Sequence, residues 1–316
     1  MKNALTKAGH LIAIGSVFFF TAYVWNHASE WPEVSINGGT IGIILALIAL
    51  QIVVFMINAL AWRAILAQTG SNILTLRNAV SVFFKSQFAK YIPGNVAQHI
   101  GRALLAKKHG INIRQTSLSI LIEALWTIGC ATVIISLSLS SRLVSRIELA
   151  AIPQSPTLYL LLAALALFAP AIILPSILRY GQRYFPAIVP PDLRFQPSVS
   201  TYLSGATAYL LSFLHLGISI NLLATALFDQ TGLPLFEAVG VCALAWIAGF
   251  ITPGSPAGIG IRDTILLLAL SPSYGPETAA ALALAHRLLT ALGDVTIYVI
   301  GTLLSRDTHT IPSHTG

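Results

Sequence analysis

Charge is what this sequence lacks most. Only 9% of its 316 residues are Asp, Glu, Lys or Arg, against 55% hydrophobic, where a soluble domain carries roughly a quarter charged residues. Such a chain has too little polar surface for a water-solvated globule. Cysteine is nearly absent as well. Cys130 and Cys242 both sit inside apolar runs with no metal-ligand spacing around them, so neither a disulfide framework nor a zinc site is supported. The acidic residues number 11, none adjacent to another or one residue apart, whereas metal-assisted or acid–base chemistry wants closely placed carboxylates. No catalytic residue and no metal ligand is assigned on this basis. No Gly-x-x-x-x-Gly-Lys-Ser/Thr pattern occurs, so nucleotide binding through a P-loop is not expected, and neither is any cofactor.

What the sequence has is long apolar runs. A bilayer core about 30 Å thick needs about 20 apolar residues per helix, and six stretches reach that length or come close: 10–26, 40–65, 116–140, 157–178, 200–227 and 277–303. The fold class expected is an all-α polytopic membrane protein. The first run follows Lys2 and Lys7 as a signal peptide would, but it exits into the polar stretch NHASEWPE with no small-residue cleavage site, so it reads as an uncleaved span. The net charge of +7 does not form a nucleic-acid-binding face. If the six spans alternate, 14 of the 18 Lys and Arg fall on the starting side, which places both termini in the cytoplasm of a cell (inner) membrane protein. Glu30, Glu33, Asp229 and Glu237 then lie outside, and Arg142 and Arg146 are exceptions on that side.

Two segments interrupt the pattern. PGNVAQHIGR at 93–102 and PGSPAGIGIR at 253–262 share Pro, Gly, an Ala four residues after the Pro and an Arg nine after it, at an offset of 160. The same offset carries 40–65 onto 200–225 and 116–140 onto 276–300. Each half, approximately 1–150 and 151–316 of a single membrane domain, thus reads span, broken segment, span, and the two halves begin on opposite sides. Inverted repeats with interrupted hydrophobic segments at corresponding positions point to a transport site near the midplane.

The breaks at Pro93-Gly94 and Pro253-Gly254 act as hinges. Helices restart behind the capping residues Asn95 and Ser255, or in the second copy as late as Asp263-Thr264. Broken backbone at membrane depth is tolerated where protein or a polar cavity surrounds it, which makes these re-entrant elements. Helix N-termini aimed inward favour an anion. Lys90, Arg102 and Arg262 near the breaks, with Arg287 and the capping residues Asn95 and Ser255, would hold one, most naturally a phosphate. Lys107 and Lys108 read as snorkelling to headgroups. Within the spans, Glu123 would balance Arg102 or Arg287, and Asp294 is a second charge partner. His215 reads as a satisfied core histidine, His286 is left open between core and cavity, and Trp126 and Trp246 read as packing or interface residues.

These residues carry a resemblance. KYIPGNVAQHIGR, preceded by Trp62-Arg63 and Leu66 at a helix end and by SQFAKY, and followed later by PG…GIGIRD, resembles the transmembrane region of the lysylphosphatidylglycerol synthase family over nearly the whole chain. The resemblance implies a flippase-like region that translocates a lipid, while aminoacyl transfer belongs to a separate soluble domain for which the chain ending at Gly316 leaves no room. Ser255-Pro256 and Asp263 depart from the family's Gly-rich second motif and its Arg-Glu. The partners expected are the membrane and an anionic phospholipid or polyprenyl-phosphate-linked lipid, with envelope-biosynthesis enzymes as further partners and no nucleic acid. The chain is expected not to be an enzyme. The alternatives are a membrane-embedded transferase or an accessory protein of envelope glycolipid or polysaccharide synthesis.

Overall fold

The computed structural model describes residues 18, 21–22, 25, 32–70, 73–92, 96–139, 156–185, 189, 193–195, 198–252 and 255–306. The described residues form nine α-helices and no strand. They are α1 (Gly38–Ala67), α2 (Leu76–Gln87), α3 (Ala97–Lys107), α4 (Ile113–Leu139), α5 (Pro156–Tyr184), α6 (Val199–Phe228), α7 (Leu235–Ile251), α8 (Ile261–Tyr274) and α9 (Pro276–Arg306). Short 3-10 turns at Phe88–Tyr91 and Pro256–Gly258 stand between α2 and α3 and between α7 and α8. Among the described residues, four helices are long and apolar enough to cross a membrane, falling in α1, α4, α6 and α9. At 1.5 Å per residue, the 30 residues of α1 reach about 45 Å, more than the hydrocarbon core requires. Helix α5 covers the span expected at 157–178, and the span expected at 10–26 lies almost wholly outside the described residues.

One order of elements occurs twice: long helix, short helix, 3-10 turn, short helix, long helix, from α1 to α4 and again from α6 to α9, offset by about 160 residues. The packing repeats too. Helix α1 lies along α6, α2 packs on α9, and α7 packs on α4, so the first arm of each half's broken element rests on the last long helix of the other. The two 3-10 turns touch where the halves meet.

Local chemistry explains the boundaries. Asn37 caps α1 by accepting from the Thr40 N–H at 3.0 Å, and Ser198 caps α6 by accepting from Thr201 at 3.1 Å, satisfying donors that a helix start leaves free. The second break resolves differently from the reading of Ser255 as a helix cap. The Ser255 hydroxyl donates to the Ile259 carbonyl at 2.8 Å and closes the turn. Helix α8 begins at Ile261, where the Asp263 carboxylate accepts from the Gly260 N–H at 2.9 Å. Gly260 has φ of 82°, a conformation glycine adopts without a Cβ penalty. Pro93, Gly94, Asn95, Pro253 and Gly254 lie outside the described residues.

Interhelical contact is made through small residues and buried polar pairs, as expected where lipid removes the hydrophobic drive between helices. Ser81 of α2 donates to the Gly301 carbonyl of α9 at 2.8 Å, and Trp62 of α1, fully buried, donates to Ser119 of α4 at 3.0 Å. A Cβ on Gly217 of α6 would lie 2.8 Å from the Val239 backbone nitrogen of α7, and backbone cannot swing aside as a side chain can. Gly217→Ala is therefore expected to force α6 and α7 apart and destabilise the protein by about 1–3 kcal/mol. Gly42→Ala on α1, where nothing lies within 4 Å, should not lower the melting temperature of the detergent-solubilised protein.

Candidate functional site

The ionisable residues of the helical core converge. A cavity of about 230 Å³ lies where the two 3-10 turns meet the long helices, and Lys90, Arg102, Arg262 and Arg287 line it together with Glu123, Asp263 and Asp294. Four cations face three carboxylates, an excess of one positive charge. A charge at the centre of a membrane helix costs about 2.5–3.5 kcal/mol on insertion scales, so each must find a partner, and three of the cations do.

Arg102, on α3, is 1% exposed and pairs with Glu123 of α4. Its Nε donates to the Ser86 hydroxyl at 3.2 Å, and its guanidinium lies 4.2 Å from the Phe83 ring centroid and 5.4 Å from that of Trp62. Little of this group is left for a ligand. Arg287 of α9 donates to Asp263 of α8 at 2.6 Å, and that carboxylate also caps α8. Lys90, in the first 3-10 turn, sits 2.6 Å from Asp294 of α9. Asp294 is fully buried; it accepts from the Tyr91 hydroxyl at 2.6 Å and from Gln51 of α1 at 3.2 Å. This carboxylate ties the broken element of the first half to the last helix of the second.

Arg262, the first-turn arginine of α8, differs. Among the described residues no carboxylate lies within ion-pair distance of it, and its Nε is buried with no hydrogen-bond partner. Its guanidinium lies 5.7 Å from the Trp246 ring, which is itself stacked on Phe250 at 4.8 Å. Two glycines make the room. A Cβ on Gly249 would come within 2.7 Å of Arg262 Cγ, and one on Gly258, whose φ is +72°, within 2.6 Å of Nε. The sequence offset explains the missing partner: 160 residues after Glu123 stands Ala283, so the second half carries the arginine without the acid that neutralises it in the first.

Of the binding residues expected from sequence, Lys90, Arg102, Arg262 and Arg287 thus share one cavity with Glu123 and Asp294. Asn95 lies outside the described residues, and Ser255, fully buried, is not part of the cavity wall. His215 corrects the expectation of a satisfied core histidine: it is buried, but it lines the cavity and neither ring nitrogen has a partner. Trp246, read as packing, is the platform for Arg262, while Trp126 is buried in the core. Sequence reasoning missed Tyr91 and Gln51, whose role depends on Asp294 arriving from a helix some 200 positions away. Asp263 had a signal in its adjacency to Arg262.

Fold and site together define a helical, multi-pass membrane protein with a net-cationic internal cavity at the meeting point of two interrupted elements. The profile of the lysylphosphatidylglycerol synthase TM region matches residues 8–297, and the chain belongs to that family. No curated protein and no solved structure matches it.

Removing one member of a buried pair leaves the other charge uncompensated, at roughly 3–5 kcal/mol. Glu123→Ala is expected to destabilise the protein on that scale, whereas Arg262→Gln, which breaks no pair, should change the melting temperature little. Thermal unfolding of the two purified variants in one detergent checks the contrast.

Proposed function

We propose that this protein is a lipid translocator: it binds a lipid through a phosphate in its headgroup and carries that group across the bilayer without chemical change. The observation that carries this reading is Arg262, a partly buried arginine whose Nε is buried without a hydrogen-bond partner and which has no carboxylate within ion-pair distance among the described residues, held on an aromatic platform between two glycines inside a cavity with one excess positive charge. A guanidinium pairs with two phosphate oxygens at once, which suits it to this ligand. The cavity volume falls below the roughly 300–1,000 Å³ that encloses a drug-sized ligand, so it accommodates a headgroup while the acyl or prenyl chains stay in the bilayer.

The repeated order of elements supplies the means of movement. In this reading the two halves are inverted, their broken elements enter from opposite faces as re-entrant hairpins, and the halves rock about the touching 3-10 turns. The Lys90–Asp294 pair joins the halves, and a phosphate reaching Lys90 competes with Asp294, loosening that tie. In the same reading both termini lie in the cytoplasm, the side that the positive-inside distribution favours. The three carboxylates of the cavity are each occupied by a cation, which favours transport over acid–base or metal-assisted transfer. Membership in the family accords with a lipid-handling role.

Reconstitution into phosphatidylcholine vesicles with fluorescent phosphatidylglycerol in one leaflet tests the proposal. The parent should expose the label to an external reductant, and Arg262→Gln should slow exposure at least about tenfold, the equivalent of losing one charge-assisted hydrogen bond. No movement of any phosphate lipid by the folded parent, or equal rates in parent and variant, would refute it.

A further inference from the structure

The cavity carries a second set of groups that phosphate binding does not use. Its cations come from the interrupted elements and from α9, but the continuous helices α1, α6 and α9 contribute uncharged polar side chains. Gln51 Oε1, the Tyr209 hydroxyl, both ring nitrogens of His215 and Nε2 of His286 are buried and have no hydrogen-bond partner among the described residues, and all four residues line the cavity. Their relative exposures are 2%, 3%, 3% and 7%. Buried polar atoms are seldom left unpaired, and each unmade bond carries a desolvation cost. Four such residues around one space describe a surface shaped for a polar, uncharged group.

Their chemistry narrows it. An amide oxygen accepts, a phenol donates and accepts, and a neutral imidazole does one at each nitrogen. A hydroxyl, which both donates and accepts, matches this mixture. An ammonium donates only and would seek a carboxylate. Glu123, Asp263 and Asp294 are each already engaged by Arg102, Arg287 and Lys90, and a further cation would meet an existing excess of positive charge.

Resting on the reading of Arg262 as the phosphate site, the geometry points to a substrate whose phosphate is esterified to an uncharged polyhydroxyl group, a glycerol or a sugar, and not to an amine-bearing headgroup. The phosphate lies against Arg262, and the hydroxyls pair with Gln51, Tyr209, His215 and His286.

The test is equilibrium binding of radiolabelled lipids to the full chain in phosphatidylcholine nanodiscs. Phosphatidylglycerol is compared with phosphatidylmethanol, which keeps the phosphate and its charge but has no hydroxyl, with phosphatidylethanolamine, and with a glucosyl phosphopolyprenol. At least one of the two hydroxylated lipids should bind about tenfold more tightly than phosphatidylmethanol, the size expected for buried hydrogen bonds left unmade, and phosphatidylethanolamine should bind weakest. Which hydroxylated lipid leads tells glycerol from sugar. Tyr209→Phe, which removes one oxygen and keeps the ring, and His215→Phe should each shrink the preference over phosphatidylmethanol several-fold while leaving phosphatidylmethanol binding unchanged. Equal binding of hydroxylated lipids and phosphatidylmethanol, tightest binding of phosphatidylethanolamine, or an undiminished preference in both variants would overturn the assignment. The translocator reading fails separately: binding with this preference but no transbilayer movement refutes transport alone, and movement with no headgroup preference refutes the hydroxyl assignment alone.

Discussion

The cost of placing charge inside a low-dielectric protein organises this molecule. Seven ionised side chains meet in one cavity, and six of them are accounted for as three ion pairs, each drawn between different helices. A chain embedded in lipid has no water at its core to absorb an error in that arrangement. The pairs therefore act as constraints on topology: Arg102 with Glu123 fixes α3 to α4, Arg287 with Asp263 fixes α8 to α9, and Lys90 with Asp294 joins the two halves. Against this background Arg262, which has no ion-pair partner among the described residues, stands out, because the other six ionisable groups of the cavity follow the rule it breaks.

The helix interruptions and the charge pairs depend on each other. A break in a helix frees backbone donors and acceptors, which must be satisfied by protein. Here Asp263 meets a freed N–H at Gly260 while also neutralising Arg287, so one carboxylate serves the backbone break and the charge balance. The first arm of each broken element also lies on the last long helix of the opposite half, while the second arm packs on that of its own. Each broken element is thus held by long helices of both halves, and the cavity is lined from both.

Small residues decide where side chains can go. Gly217 allows close approach of α6 and α7, and Gly249 and Gly258 leave the channel through which the Arg262 side chain passes. Ala257, in the second 3-10 turn, holds a φ of 50°, a left-handed conformation that costs a non-glycine residue energy and that tends to persist where surrounding structure demands it. The turn bearing this strain touches the turn bearing Lys90 and lines the cavity.

Much of the architecture was legible in the sequence, because hydrophobic length and helix-breaking residues act locally. The long helices, the interruptions near 93 and 253 and the offset of 160 could all be read from which residues can lie in lipid and which cannot continue a helix. The ionisable residues of the site could be recognised as exceptional for the same reason. Their partners could not: Lys90 with Asp294 and Tyr91 with Asp294 join positions more than 200 residues apart. Nor could the sequence separate Arg102 from Arg262, which occupy equivalent places in the two repeats. Local rules determined that charges would be buried and where the helices would break; only the tertiary packing decided which charge was satisfied, because pairing depends on a few ångströms of separation between groups that the chain order does not bring together.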